Sequence, residues 1–183
     1  RQKTQFQSDI NQIIQITTAM HINLKWKKGF LSSTYNIYSR NQLVGKLTDK
    51  TFSQSAIGEL DGKKYTFRTK GIFNQHTEIL DNRENKVVGT ITYNSWMTKA
   101  TMSISGKTIN WKYDNVWQTK WSIFDSGGIK INYTGSSTNG NIESSTDDAL
   151  LVLSGLFVTN YYWQMFIVIL VAVFVPLWVT VLN

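Results

Sequence analysis

The chain has 183 residues and a formal net charge of +7, from 19 Lys and Arg against 12 Asp and Glu. It contains no cysteine and only two histidines, which excludes disulfides and thiolate metal sites and leaves no zinc site to expect. With 13% aromatic residues and a single proline, the composition favours pleated over helical structure, and the length fits one domain with an appendage.

The first segment, residues 1–22, is predicted to be a helical lead-in. Between residues 5 and 20 the apolar side chains follow the i, i+3, i+4 spacing of one helical face. Its polar face is Gln, Asn and Thr rather than Lys and Arg, which favours a helix that closes one end of a barrel over one that lies on a membrane. The apolar positions are Phe6, Ile10, Ile13, Ile14, Ile16 and Met20.

From residue 23 to residue 145 the pattern becomes an alternation of apolar and polar residues, which is typical of an all-β sandwich or barrel. Hairpin turns are predicted at Asp61-Gly62, Ser105-Gly106, Gly127-Gly128 and Asn139-Gly140. We therefore expect about twelve antiparallel strands closed into a barrel. They are predicted near residues 23–30, 34–39, 43–48, 52–60, 63–69, 72–80, 86–93, 98–104, 107–112, 118–125, 128–134 and 138–145.

An internal repeat organises these strands. Residues 43–68 align without gaps onto residues 87–112, and both copies contain the dipeptide Val-Gly near their start and Gly-Lys in their last third. A weaker third copy, WSIFDSGGIKI, follows at residues 121–131. Two or three copies of a meander suit a closed barrel better than a stacked solenoid.

The C-terminal tail carries no charge from Ala149 to Asn183. Thr146 or Asp147 is predicted to cap a helix there. A continuous helix over the tail would extend about 52 Å, well beyond the roughly 30 Å of bilayer hydrocarbon. We therefore expect a break near residues 160–164, which separates a core helix at 147–163 from a candidate transmembrane segment at 165–183. The alternative is a buried helix or strand pair in a soluble protein.

Four aromatic residues of the tail are candidates for a belt at the membrane interface, because Tyr and Trp favour the headgroup level of a bilayer. These residues are Tyr161, Tyr162, Trp163 and Trp178.

The hairpins YNIYSRNQLVGKL, TEILDNRENKVVGTI and WSIFDSGGIKI, followed by STDDALLVLSGLFV, resemble the superfamily of tubby C-terminal domains, LURP-one-related proteins and phospholipid scramblases. The resemblance covers most of residues 23–163 and implies a barrel around one hydrophobic helix. The geometry of a barrel leads to the same expectation, because the interior of a barrel of about twelve strands is too wide for short side chains to fill. The resemblance also implies phosphoinositide binding in general.

Basic residues on the predicted strands are candidates for a surface that binds anionic lipid or an acidic partner. The segment LKWKKGF mixes lysines with aromatics, as membrane-interface segments do. Strand alternation sends the other cations outward, although an ordinary solvated face would have the same pattern. The candidates are Lys25, Trp26, Lys27, Lys28, Lys64, Arg68, Lys70, Lys112, Lys120 and Lys130.

No nucleophile elbow, P-loop, dinucleotide fingerprint or zinc-protease pair occurs, so neither an enzyme nor a cofactor is predicted. The first hypothesis is a membrane-tethered barrel that binds anionic headgroups or an integral membrane protein complex. A scramblase-like lipid-moving protein and a soluble carrier are alternatives; scramblase activity is weakened because Asp114 and Asp125 stand alone rather than in a calcium loop. Nucleic acid is disfavoured as a partner because the cations are spread over many strands. The charge distribution places the barrel on the cytoplasmic side.

Overall fold

The computed structural model describes residues 21–30, 32–50, 54–71 and 75–181, with side chains up to residue 176. The predicted helix over residues 5–20 lies outside these residues. Twelve strands and one helix, α1 (Ala149–Val181), make up the described part of the chain. The strands are β1 Ile22–Lys28, β2 Thr34–Ser39, β3 Gln42–Lys50, β4 Ser55–Leu60, β5 Lys63–Lys70, β6 His76–Asp81, β7 Lys86–Tyr93, β8 Lys99–Ile104, β9 Lys107–Tyr113, β10 Lys120–Phe124, β11 Lys130–Gly135 and β12 Asn139–Ser144.

The strands form one closed antiparallel barrel, in which each strand pairs with its neighbours in sequence. β1 pairs with β12 and closes the sheet, with Leu24 opposite Ile142. Alternate side chains point inward as predicted: Tyr65, Phe67 and Thr69 of β5 are buried, whereas Arg68 is exposed. The predicted fold, a twelve-stranded barrel with a hydrophobic C-terminal helix, is confirmed.

The sequence repeat corresponds to a structural repeat of β3–β5 and β7–β9. The first strand of each copy pairs with the strand before it through a shift of one residue. The shift lies between Ile37 and Tyr38 of β2 for the first copy and between Ile79 and Leu80 of β6 for the second. The inserted residues are the repeated valines, and Gly45 and Gly89 follow them. A Cβ on Gly45 would lie 2.4 Å from the Glu59 carbonyl oxygen. The repeated Val-Gly therefore marks a β-bulge where the next strand approaches too closely for a side chain.

Three of the four predicted turns lie between strands. Asp61-Gly62 and Ser105-Gly106 have positive φ at both residues, as tight hairpins of this kind require. The fourth prediction is wrong, because Gly140 belongs to β12 and pairs with Gly135. Both glycines face the Trp26 ring: a Cβ on Gly135 would lie 2.3 Å from its Cζ2. Gly140 is therefore required for packing, and the turn falls in the Ser-Ser-Thr segment before β12.

The first part of α1 fills the barrel. Asp148 caps it, since its Oδ1 accepts from the backbone N–H of Leu150 at 2.9 Å and of Leu151 at 3.4 Å. Neither Thr146 nor Asp147, the predicted caps, takes this role. Inside, Tyr133 Oη donates to the Val152 carbonyl at 3.0 Å and Trp111 Nε1 donates to the Gly155 carbonyl at 3.3 Å. These bonds join β9 and β11, the two strands that flank β10, to the helix backbone.

The predicted break at residues 160–164 is wrong, because α1 runs without interruption past this point and contains Pro176. It begins at one end of the barrel, here called the start end, and leaves at the other, here called the exit end. The tail can form one continuous helix longer than a bilayer is thick because the first 14 residues of that helix lie in the barrel and only the remainder emerges.

Candidate functional site at the exit end

The environment of α1 changes abruptly where it leaves the barrel. From Ala149 to Asn160 every residue is buried, and Tyr162 is only 3% exposed. From Trp163 the apolar side chains are exposed on all sides of the helix, including Val168 at 59% and Val175 at 55%. Within the described part of the chain, Ala149–Pro176 is the one segment long and apolar enough to cross a membrane. No other described element covers these side chains, so they form a contiguous exposed apolar surface of a kind that soluble monomers rarely have.

A polar cluster surrounds α1 at the exit, with Asn160 at its centre. Asn160 Oδ1 accepts from Lys28 Nζ at 3.4 Å and from Tyr35 Oη at 3.3 Å. Its Nδ2 donates to Asp49 Oδ2 at 2.8 Å, and Gln164 Nε2 donates to the same oxygen at 2.8 Å. Asn160 thus bridges a cation and an anion that make no direct ion pair among the described residues, and it ties the helix to β1 and β3.

Partial burial perturbs both charges of this cluster. Burial raises the pKa of Asp49, against the opposing effects of the Gln164 and Asn160 amides and of Lys28. Burial lowers the pKa of Lys28, and Asp49 opposes this shift. The Lys28 ammonium also lies 4.7 Å from the centre of the Tyr35 ring. Both charged forms would gain from a further partner of opposite charge.

A second set of contacts holds the other side of the helix. Tyr161 Oη donates to Gln75, and its ring stacks on Tyr93 with centroids 4.1 Å apart. Tyr162 Oη donates to the Lys99 carbonyl. Tyr93 Oη hydrogen-bonds to Thr77 at 2.6 Å. The exit is therefore a rigid aromatic and polar rim around the helix.

A cavity of about 690 Å³ opens between this rim and the emerging helix. Its inner part includes Lys28, Asp49 and Asn160, whereas Trp163, Met165, Ile167 and Val168 of α1 form an apolar wall. Phe30 lies at its edge. The cavity thus combines separated opposite charges with an apolar wall that continues along the helix.

The loops at the exit end expose large apolar side chains. Phe30 is 80% exposed, Trp96 85%, Val116 93% and Trp117 85%. These residues come from three different loops, which follow β1, β7 and β9. Of the described residues at the start end, only Leu43 and Val87 are large exposed hydrophobics, and both lie within strands rather than at loop tips. Exposed aromatics are therefore concentrated where the apolar helix emerges.

Charge is distributed just as unequally among the described residues. The exit end, taken as its loops and the three adjoining residues of each strand, contains eight cations and three carboxylates. The start end, taken in the same way, contains seven cations and eight carboxylates. The net positive charge therefore belongs to the exit end. Its charged residues are Lys27, Lys28, Lys50, Arg68, Lys70, Lys99, Lys112 and Lys120, with Asp49, Glu78 and Asp114.

The structure divides the predicted segment LKWKKGF between two sides of the barrel wall. The prediction that Trp26 lies on a lipid or partner surface is wrong, since Trp26 is 2% exposed and packs inside against Tyr35 and Trp121. Lys25 and Lys27 point outward, whereas Lys28 shares the inward register of Trp26 and reaches the cavity. Strand alternation alone separates them.

The other predicted cations all lie on the outer face but do not form one patch. Arg68 and Lys70 lie near the exit end, where Lys70 forms an ion pair with Glu78 at 2.7 Å. Lys64 lies near the start end, opposite Glu59. The structure therefore does not bring Lys64, Arg68 and Lys70 together in one patch.

The expected stripe of Lys112, Lys120 and Lys130 spans adjacent strands, β9 to β11, but is also divided. Lys112 and Lys130 line one shallow depression, where Lys112 pairs with Asp114 at 3.4 Å. Lys120 begins β10 at the exit end, whereas Lys130 pairs with Phe124 at the opposite end of that strand. Only Lys112 and Lys120 therefore join the cationic exit end.

The predicted aromatic belt is partly wrong. Tyr162 is buried within the barrel, and Tyr161 is half-buried in the rim. Trp163 is 54% exposed, as a belt residue would be. Trp178 lies on α1, but its side chain is outside the described residues.

Sequence reasoning missed the exposed loop aromatics, although a signal was present. Every second connection of the meander except the last, which is Ser-Ser-Thr, contains an aromatic residue, whereas the intervening connections consist of residues such as Arg40-Asn41 and Asp61-Gly62. Antiparallel strands place alternate connections at the same end of a barrel. The five aromatics are Phe30, Phe52, Phe73, Trp96 and Trp117, of which Phe52 and Phe73 lie outside the described residues.

No group of three potential metal ligands occurs among the described residues. The isolated acids have local roles: Asp114 accepts from Ser122 Oγ at 3.1 Å, and Asp125 accepts from the N–H groups of Gly127 and Ile129. Comparisons with protein-family models, curated proteins and solved structures find no match to this chain. The resemblance to the tubby and scramblase superfamily therefore stays a prediction.

Proposed function

We propose that this protein is a membrane-anchored β-barrel module whose exit end lies against an anionic bilayer surface. The observation that carries the proposal is the course of α1, which fills the barrel and then continues as a helix with apolar side chains exposed on every side. From Trp163 to Val181 it would extend about 28 Å, close to the hydrocarbon thickness of a bilayer. Pro176 is tolerated in such helices.

The exit end supports the proposal in two further ways. Trp96, Val116 and Trp117 lie in loops at the level where α1 would enter the membrane, and Trp is favoured at the headgroup region. The cations of the same end suit anionic headgroups, since each Lys or Arg near a charged membrane contributes about 1 kcal/mol. The excess of cations on the barrel side of α1 supports a cytoplasmic location for the barrel under the positive-inside rule.

Binding of headgroups, with a scaffolding or accessory role beside an integral membrane protein, is the activity that fits this arrangement. A lumen carrier does not fit, because α1 occupies the interior.

The test of anchoring uses the full chain with Ile169, Val171 and Val173 replaced by Arg. These side chains are 44%, 54% and 53% exposed, so the barrel should remain folded. Each Arg costs about 2.5–3.5 kcal/mol near the centre of a spanning helix, which together removes the gain from insertion. The parent chain and a control with Leu at all three positions should stay with membranes after alkaline carbonate extraction, whereas the Arg variant should be released. Retention of a folded Arg variant would contradict anchoring.

A further inference from the structure

We propose that the cavity at the exit end binds a single glycerophospholipid with a primary-amine headgroup, its phosphate at Lys28, its ammonium at Asp49, and an acyl chain along α1. This inference rests on the proposed membrane anchoring and names a ligand for the same end of the barrel.

The polar groups of the cavity match such a headgroup in charge. Asn160 lies between Lys28 and Asp49 and bonds to both, so the two charges are held apart instead of neutralising each other. Both Asn160 and Gln164 bond to Oδ2 of Asp49, and among the described residues Oδ1 has no partner. Within the described ranges Lys28 Nζ uses one of its three donors, in the bond to Asn160. An acceptor and a donor therefore remain for a zwitterion that carries both an ammonium and a phosphate.

The apolar wall gives the direction of the lipid. Met165, Ile167 and Val168 follow Gln164 directly along α1 and line the same cavity. The wall therefore leads from the charged floor toward the segment proposed to enter the bilayer. A lipid whose headgroup binds inside the rim would have its acyl chain beside α1, at the same depth as the acyl chains of neighbouring lipids. The volume of about 690 Å³ is within the range of small-molecule sites.

A primary ammonium fits better than choline or glycerol. Asp49 Oδ1 is a hydrogen-bond acceptor, and only N–H or O–H groups donate to it. A choline headgroup has no N–H, and an anionic glycerol headgroup has no cation to pair with Asp49. We therefore expect the protein to retain more phosphatidylethanolamine than phosphatidylglycerol or phosphatidylcholine.

The test measures lipid retained by the full-length protein. The chain is reconstituted with equal fractions of phosphatidylethanolamine, phosphatidylcholine and phosphatidylglycerol, extracted in mild detergent and examined by native mass spectrometry. One phosphatidylethanolamine per chain should be retained. Asp49→Asn, which keeps an acceptor for Asn160 and Gln164, and Lys28→Met should each lower retention about tenfold, as loss of one hydrogen bond to a charged group implies. Asp114→Asn at the same end and Lys46→Met on the outer face of β3 are matched controls and should have no effect.

A third variant tests the site without touching the polar cluster. Val168→Trp should fill the cavity from its exposed wall and displace the lipid, whereas Leu170→Trp, on another face of the helix, should not. Equal retention of the three lipids, or retention unchanged in Asp49→Asn, Lys28→Met and Val168→Trp, would overturn the site. The two proposals fail separately: a chain that resists carbonate but retains no phosphatidylethanolamine is anchored without this site, and a chain extracted by carbonate is not anchored.

Discussion

Gly155 is the residue that lets α1 pass through the barrel. A Cβ there would lie 2.3 Å from Cζ and Oη of Tyr133, the side chain that hydrogen-bonds to the helix backbone one turn earlier. Tyr133 cannot retreat easily, because its ring stacks on Trp121 at 5.5 Å. Close approach of helix and wall therefore depends on the missing side chain.

We expect Gly155→Ala to lower the free energy of unfolding by about 1–3 kcal/mol, because overpacking costs more than the better helix propensity of Ala returns. The measurement is thermal unfolding in detergent by circular dichroism. Ser154→Ala is the matched control: it removes an intrahelical bond to the Leu150 carbonyl but adds no atom. Equal melting temperatures for Gly155→Ala and the parent would mean that the helix lies elsewhere in the lumen.

Single side chains were the least predictable feature from sequence. Trp26 and Lys28 stand in a cluster of lysines and aromatics that has the composition of a surface segment, yet both have the inward register of Leu24. Composition does not distinguish the two faces of a strand, whereas alternation does. The partners of Lys28 could not have been found this way, because Asn160 lies 132 residues along the chain.

Among the elements, the strands and the presence of a hydrophobic C-terminal helix followed from local pattern, whereas the continuity of that helix did not. Alternation and turn residues located all twelve strands, since both signals act over a few residues. The polar residues Asn160 and Gln164 predicted a helix break, but Lys28, Tyr35 and Asp49 satisfy their side chains and the helix continues. Hydrogen bonds from strands that are distant in sequence therefore let these polar residues lie within one continuous helix.

At this scale we expect deletion of residues 165–183 to give a folded, soluble barrel, because the buried part of α1 ends at Tyr162. The deletion variant should bind vesicles that contain anionic lipid and should be released as the salt concentration rises. The attraction acts within a Debye length, which is about 8 Å at physiological ionic strength, and added salt shortens this distance. Replacing Lys27, Lys99 and Lys120 by Glu should weaken binding about 100-fold or more, at about 1 kcal/mol for each lost cation.

The control for that measurement is charge reversal at the start end, at Lys63, Lys107 and Lys130. These three lysines are as exposed as the first set and change the net charge equally. Their reversal should leave most of the binding intact. Equal loss in both variants would show that net charge, rather than the exit end, attracts the barrel to the vesicle.

The whole molecule is polarised along the axis of its helix. One end has charged hairpin turns and balanced charge, and the other has exposed aromatic loops, excess cations and the emerging apolar helix. Sequence established the closed barrel and the apolar tail, but it did not establish this polarity, which requires knowing that alternate connections meet at one end. The central claim is therefore that the exit end faces the bilayer.

The most direct test uses the absence of cysteine, which lets one introduced thiol carry a fluorescent label. Val116→Cys places it on an exit-end loop and Val87→Cys near the start end, both at exposed valines. The full chain is reconstituted in anionic vesicles, and quenching by nitroxide-headgroup lipids is compared with quenching by a water-soluble quencher. We predict that the label at 116 is quenched mainly by the lipids and the label at 87 mainly from water. Equal quenching of the two labels by the nitroxide lipids, or stronger quenching at 87, would contradict the account.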